Sequence, residues 1–141
     1  MFQYKNHRFH FGGVSFQIPD GYFFNSEPGG ESDNFIQLYA PDQTFTVDIR
    51  IEKDCDEVIA ELQSVLDDLD PTIVYPPAPL QMNGLTGCHA TYRNRRSQSY
   101  EAWFELGSET ALSMTLTTPG NILDIDTAAV LSAIDPRADE N

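Results

Sequence analysis

The alternation of apolar and polar residues between Thr44 and Lys53 constrains the fold more than any other feature of this sequence. Apolar side chains occupy every second position there, which gives a β-strand one apolar and one polar face: Phe45, Val47, Ile49 and Ile51. The spacing then changes to the three- and four-residue intervals of an amphipathic helix. A strand followed directly by a helix laid on a sheet predicts an α+β fold.

We expect the helix to span Asp54 to Asp70, with Asp54 and Glu57 forming a capping box at its N-terminus. Asp70 precedes a proline, which disfavours further helix. Four apolar residues on one stripe should pack the helix on the sheet: Val58, Leu62, Val65 and Leu69.

The rest of the chain consists of short alternating runs separated by turn signals such as Gly12-Gly13 and Asn83-Gly84. Short connections favour antiparallel neighbours, so we expect a single antiparallel β-sheet with amphipathic helices packed on it, in one domain of residues 1–141. The segment Pro76–Pro79 should be an extended surface connector. A closing helix is expected between Ile122 and Ile134, followed by a frayed tail at 136–141.

The charge balance is strongly acidic, with 22 acidic against 8 basic residues and a formal net charge of −14. Nucleic-acid binding and attachment to anionic membranes both need the opposite balance, so neither is expected. A basic protein partner is compatible with this charge, and so is a role in solubility alone. No apolar run approaches the ~20 residues that cross a bilayer, so no membrane insertion is expected. No signal-peptide core is visible at the N-terminus, which predicts a cytoplasmic protein.

No cofactor or metal site is predicted. Cys55 and Cys88 are distant in sequence and form no C-x-x-C motif, so both should be free thiols. His7 and His10 would fall on opposite faces of an extended segment, which does not bring two ligands together.

The strand that contains Trp103 supplies the candidate binding residues. Trp103 should share a face with Glu101 and Glu105, pointing away from the covering helix. We therefore expect Trp103 to be an exposed contact for a partner. The alternative is that the segment Pro76–Pro79 covers it.

Placing Tyr92 and Tyr100 on one face of the hairpin would pair odd-numbered residues with odd-numbered ones. The residue opposite Glu101 or Trp103 would then be His89, Thr91 or Arg93. A paired-carboxylate site is disfavoured, because Glu101 and Glu105 lie about 13 Å apart along a strand.

Two charged groups complete the candidate site residues. Asp67 and Asp68 crowd the C-terminal end of the predicted helix, where negative charge opposes the helix dipole. Such local conflicts are enriched at functional sites, although a solvated helix end also explains them. Arg93 and Arg95 belong to a basic cluster at a hairpin tip, which could contact an acidic group on a partner.

Several segments resemble the PsbP-like superfamily, which includes the photosystem II extrinsic protein P and bacterial DcrB-like proteins. The matching segments are Gly13–Tyr22, the helix after the long strand, Gly84-Leu85-Thr86-Gly87, Leu116-Thr117-Thr118-Pro119 and the short final helix. The resemblance implies an antiparallel sheet with helices and a role in protein binding or assembly, without a shared active site. Some DcrB-like relatives are chaperones for hydrophobic segments of other proteins.

These observations favour a non-catalytic protein-binding or chaperone-type module that uses an open sheet face. An acidic immunity- or inhibitor-type protein with a basic partner is the alternative. A small enzyme with His89 and Glu101 as an acid–base pair is a third hypothesis, which is disfavoured because no nucleophile or oxyanion donor is identifiable.

Overall fold

The structure, a computed structural model, describes residues 3–5, 7–25, 35–107 and 109–139. Within these residues the strands form two antiparallel sheets, so the α+β class is confirmed and the prediction of one sheet is wrong. The strands are β1 Gln3–Lys5, β2 Arg8–Phe11, β3 Val14–Phe16, β4 Phe23–Asn25, β5 Phe35–Tyr39, β6 Thr46–Lys53, β7 Thr72–Met82, β8 Leu85–Arg93, β9 Gln98–Glu105, β10 Thr110–Thr118 and β11 Arg137–Ala138. The helices are α1 Val58–Asp68 and α2 Thr127–Ile134, with a 3₁₀ turn at Ile122–Asp124.

The large sheet has the strand order β4-β5-β6-β10-β9-β8-β7, and the small sheet has the order β1-β2-β3-β11. The small sheet is formed by β1, β2 and β3 near the N-terminus, and β11 near the C-terminus adds to β3. Residues 137–138 are therefore ordered in a sheet, and the prediction of a frayed tail from 136 is wrong for them. Residues 140 and 141 lie outside the described residues.

Polar contacts fix the C-terminal strand in this position. The Arg8 guanidinium donates to the Asp135 carboxylate, with Nη1 and Oδ2 3.1 Å apart, and to the main-chain oxygen of Ser15. The Asn83 amide donates to Asp135 Oδ1 at 2.8 Å. One carboxylate thus links the first hairpin, the β7–β8 turn and the last strand.

The two predicted turns are confirmed. Asn83 and Gly84 join β7 to β8 with φ values of 52° and 83°, the positive values that a two-residue type I′ hairpin requires. Gly12 and Gly13 join β2 to β3 in the same way.

Both faces of the large sheet carry packed elements, and the outer face is covered only in part. Its inner face packs on the small sheet, the 3₁₀ turn and α2, and most of the buried apolar side chains of the described residues lie there. Its outer face carries α1, which packs mainly on β8 and β9. Among the described residues, neither helix has the length and apolar character needed to cross a membrane.

Helix α1 is shorter than predicted. Asp54 has a left-handed φ of 63°, so the chain is not yet helical there, and Glu57 occupies the N-cap position without a side-chain capping bond. The predicted capping box is therefore wrong. Val58, Leu62 and Leu66 are buried against the sheet, whereas Leu69 follows the last helical residue and is 50% exposed.

The segment Pro76–Pro79 is part of β7, not a connector. It lies at the edge of the large sheet, where proline is tolerated because one side of the strand needs no donors. The pairing of β7 with β8 shifts register between Ile73 and Tyr75 and again between Tyr75 and Ala78. Pro76 and Pro77 lie at the second of these irregularities, whereas Pro79 pairs with Cys88.

Candidate functional site

Among the described residues, α1 covers only half of the outer face of the large sheet: it lies over β8 and β9 and leaves β6 and β5 open. Cross-strand pairing arranges the outward side chains in rows that run from the covered half to the open half. The first row is Ala90, Glu101, Thr115, Asp48 and Gln37. The second row is Cys88, Trp103, Ser113, Arg50 and Phe35. The third row includes Glu105, Ala111 and Glu52.

A cleft of about 200 Å³ follows the middle of this face. It forms because β10 contributes short side chains, Ser113 and Thr115, between longer ones on β9 and β6. Its lining residues are Asp48, Arg50, Glu52, Val65, Glu101, Trp103, Ser113 and Thr115, and we call this site the acidic cleft. Val65 belongs to α1, so the helix forms one wall.

Glu101 lies at the floor of the acidic cleft and is only 3% exposed. Its Oε2 accepts from Trp103 Nε1 at 2.6 Å, and its Oε1 accepts from Thr115 Oγ1 at 2.9 Å and Tyr92 Oη at 3.1 Å. All three donors that the described residues supply to Glu101 are uncharged groups. They satisfy and orient the carboxyl group without neutralising a negative charge on it.

Tyr92 is held as a hydrogen-bond donor by its surroundings. Burial is the main cause that raises the pKa of Tyr92 far above its ordinary value, and the negative charge of Glu101 raises it further. The phenol therefore keeps its proton well above neutral pH. Its O–H remains available to Glu101.

The side of the acidic cleft formed by β6 carries charged side chains, and these contact neighbouring side chains of the large sheet. Arg50 Nη1 lies 3.9 Å from Glu52 Oε1, and the guanidinium stacks 4.6 Å from the ring centroid of Phe35. Gln37 Nε2 donates to Asp48 Oδ1 at 2.8 Å. The lining of the cleft thus holds three carboxyl groups, on Asp48, Glu52 and Glu101, against one guanidinium, on Arg50.

The prediction that Trp103 is exposed is wrong: the side chain is 4% exposed and packs with Leu62 and Leu66 of α1. The error lies in the register of the β8–β9 hairpin. Cys88 pairs with Trp103 and Tyr92 pairs with Ser99, so even-numbered residues stand opposite odd-numbered ones. The helix covers Trp103, and the predicted alternative of a cover by residues 76–79 is also wrong.

The strands β8 and β9 approach closely beside Trp103. A Cβ atom added to Gly87 would collide with the main-chain carbonyl of Trp103, so only glycine fits at this position. Gly87 lies in the segment that resembles the PsbP-like pattern, and its role there is steric.

His89 does not face Glu101. It pairs with Ala102 and so projects to the opposite face, where its Nδ1 lies 2.9 Å from Tyr100 Oη. Burial lowers the pKa of His89. The hypothesis of a His89–Glu101 acid–base pair is therefore wrong.

The remaining predicted site residues lie outside the lining of the acidic cleft, as far as the described residues show it. Glu105 is exposed on the same face as Glu101. Arg93 is half-buried at the last pair of the β8–β9 hairpin, and Arg95 is exposed in its turn. Asp67 and Asp68 are exposed at the end of α1, as predicted.

Sequence reasoning missed the five lining residues of the acidic cleft that lie on β6 and β10. Asp48, Arg50 and Glu52 form the polar side of the alternating strand, and Ser113 and Thr115 form the polar side of β10. The alternation itself was the available signal. What it could not provide was the adjacency of β6 and β10, which are distant in sequence.

No protein-family model matches this sequence, and no curated protein matches it. Among solved structures, the fold is similar to the solution structure of cyanobacterial PsbP (CyanoP) from Synechocystis sp. PCC 6803. That similarity has a TM-score of 0.61 at 10% identity and covers 99% of this chain and 92% of that one. The weak whole-chain resemblance to PsbP-like proteins is thereby confirmed at the level of fold.

A protein of Bacteroides thetaiotaomicron VPI-5482 has a similar crystal structure, with a TM-score of 0.52 at 14% identity. The match covers 92% of this chain and 46% of that one, so this chain corresponds to under half of the Bacteroides protein. At these identities the comparisons describe the fold and leave the function to the chemistry of the site.

Proposed function

We propose that this chain is a non-catalytic protein-binding module of the assembly or chaperone kind, and that its acidic cleft receives a lysine or arginine side chain of a basic partner. The observation that carries the proposal is the Glu101 carboxyl group, buried at the floor of a cleft and oriented by three uncharged donors.

The geometry suits a cationic group. Glu101 is held in place by Trp103, Tyr92 and Thr115, so little side-chain entropy is lost when a partner binds. A charge-assisted hydrogen bond in a partly dehydrated cleft is stronger than one in open water. Asp48 and Glu52 add negative charge at the rim, and the formal net charge of −14 would steer a basic partner towards the protein.

The immunity- or inhibitor-type role would use the same surface, and the overall charge is the observation that favours it. The two roles differ in their effect on the partner. An inhibitor abolishes the activity of its partner, whereas an assembly module leaves it intact. Measuring that activity with and without this chain separates them.

The test of the proposal is capture of partners from the native host with charge-matched baits. We expect the double substitution Asp48→Asn, Glu52→Gln to reduce capture of a basic partner by at least about tenfold. The control Asp67→Asn, Asp68→Asn removes an equal number of negative charges at the end of α1. It should leave capture within about twofold of the unmodified chain. Quantitative mass spectrometry of the eluted proteins provides the measurement.

If both double substitutions reduced capture equally, the loss of capture would be explained by overall charge, and the proposed role of the cleft would be contradicted. Once the partner is identified, its association rate should fall steeply with added salt, because screening shortens the reach of the charges. A partner that binds at the same rate at all salt concentrations would contradict electrostatic steering.

A further inference from the structure

A second surface with the character of a binding site lies at the end of the large sheet formed by β4. Phe23 and Phe24 on this strand are 61% and 51% exposed. β4 is the terminal strand of the large sheet among the described residues, so one of its edges has no partner strand there. Exposed aromatic side chains beside an open backbone edge form a template for strand addition.

The inner side of β4 opens onto an apolar groove of about 500 Å³ between the two sheets. Its lining residues are His7, Phe9, Ile18, Tyr22 and Phe24. Phe24 packs edge-on against Phe9 with ring centroids 5.5 Å apart, and Phe9 stacks on Phe16 at 5.6 Å. The aromatic rings of the groove wall thus pack on one another and, through Phe9, on the buried Phe16.

The two phenylalanines point to opposite sides of the large sheet. Phe24 pairs with the buried Leu38 and therefore faces the groove, whereas Phe23 pairs with Tyr39 and faces the open side. A strand added beside β4 would continue this alternation. Every second side chain of the added strand would enter the groove, and the others would lie along Phe23.

We propose that β4 and the apolar groove bind an extended segment of a partner protein, which adds to the large sheet as a strand. The segment carries apolar side chains at alternate positions and basic residues at its ends. This site shares no lining residue with the acidic cleft and goes beyond the function proposed for it.

Charge decides between this occupant and the others. A second copy of the chain would bring two bodies of formal net charge −14 together over strands of three residues each. An anionic lipid surface meets the same repulsion. A segment with basic flanks is instead attracted, and Asp42 lies close enough to Tyr22 of the groove that its negative charge adds to burial in raising the pKa of that phenol.

The test uses the fluorescently labelled peptide Lys-Lys-Ile-Thr-Ile-Thr-Ile-Lys-Lys as the probe, with binding measured by fluorescence anisotropy. We expect Phe24→Ser to weaken binding by at least about tenfold, as for truncation of an interface anchor. The control Tyr75→Ser removes an aromatic side chain that is 58% exposed on the opposite edge strand β7, and binding should stay within about twofold. If Phe24→Ser lowers the unfolding midpoint, Phe23→Ser is used in its place.

Strand addition is distinguished from simple apolar contact by two peptides of the same sequence, N-methylated at either the Ile or the Thr amides. One of the two should lose binding by at least about tenfold, because only one set of amides faces β4. The proposal is overturned if both bind as the unmethylated peptide does, or if Tyr75→Ser weakens binding as much as Phe24→Ser.

Two further results would contradict a partner segment as the occupant and assign the site to a different one. Sedimentation that shows a dimer, lost on Phe24→Ser, would assign the edge to a second copy. Binding to phosphatidylcholine vesicles that is lost on Phe24→Ser would assign it to lipid. Failure of this peptide leaves the capture experiment on the acidic cleft unaffected, since the two sites are tested with different substitutions.

Discussion

Removal of the Tyr92 hydroxyl by Tyr92→Phe tests how the Glu101 carboxyl group is held in the structure. Tyr92 and Glu101 are 2% and 3% exposed, and the Tyr92 Oη to Glu101 Oε1 distance is 3.1 Å. The substitution keeps the ring that packs beneath α1. It therefore removes a hydrogen bond with almost no change in apolar packing.

The expected loss is about 1.5 kcal/mol in the free energy of unfolding. A hydrogen bond to a charged group contributes about 1.5–3 kcal/mol net. The low end applies because 3.1 Å is long for an O–H donor and because Thr115 still donates to the same oxygen at 2.9 Å. With a urea m-value of about 1–3 kcal/mol/M, the unfolding midpoint should fall by about 0.5–1.5 M.

Urea titration followed by the emission of Trp103 measures this loss, because the sequence has a single tryptophan and it donates to the same carboxyl group. Tyr75→Phe is the matched control at a 58% exposed position and should change the free energy of unfolding by less than about 0.5 kcal/mol. The double variant Tyr92→Phe, Thr115→Val should cost more than the sum of the two single substitutions, because Oε1 then loses both donors. A loss below about 0.5 kcal/mol for Tyr92→Phe, or strict additivity, would refute this account of Glu101.

Three other predictions follow from burial. Leu62 lies on the buried face of α1 at 0% exposure, and Leu62→Ala should cost about 2–5 kcal/mol in urea titrations. Leu69→Ala, at 50% exposure, should cost less than about 0.5 kcal/mol, and similar losses for the two variants would contradict the packing of the helix. The emission of Trp103 should be blue-shifted and resist acrylamide, and ready quenching in the folded protein would contradict its burial. Burial raises the pKa of Cys88 from 9.0 to about 11 and that of Tyr100 from 10.0 to about 12, so the folded protein keeps protons that the unfolded chain releases. The free energy of unfolding should therefore be level below about pH 9 and fall as the pH rises to about 11, and a level profile through that range would contradict the shifts.

The sequence predicted best those strands that have one apolar and one polar face. In β6, Val47, Ile49 and Ile51 are buried in the inner core, while Asp48 and Arg50 face outward. Strict alternation is the direct consequence of that environment. The polar side of β6 now forms a wall of the acidic cleft, so part of the candidate site could have been predicted from the same signal.

The prediction for Trp103 was wrong because β9 is covered on both faces, by the inner core on one side and by α1 on the other. Every residue from Ser99 to Phe104 is buried, so alternation does not distinguish its two faces. Tyr92 and Tyr100 are both buried, but under different layers, and assigning them to one face gave the wrong pairing. A strand covered on both sides needs tertiary information to fix its register.

The second sheet could not be predicted for a different reason. Its C-terminal strand has two residues, and the contacts that place it are remote in sequence, such as the bond between Arg8 and Asp135. Short strands carry little pattern of their own. Their pairing depends on where the rest of the chain brings the termini.

The acidic cleft itself depends on the lengths of the side chains along two rows of the large sheet. Thr115 separates Glu101 from Asp48, and Ser113 separates Trp103 from Arg50. A longer side chain on β10 would fill the cleft while leaving the register of the strands unchanged.

Because α1 covers one half of the outer face in the part of the chain that the structure describes, the burial of Glu101 and the opening of the cleft arise together. The helix dehydrates the carboxyl group from one side, and the short side chains of β10 leave room for a partner on the other. Glu101 therefore contributes both to the stability of the fold and to the proposed binding of a partner. Substitutions of Tyr92 and of Asp48 should affect these two properties separately. The first should lower stability with the rim of the cleft intact, and the second should weaken binding with the core intact.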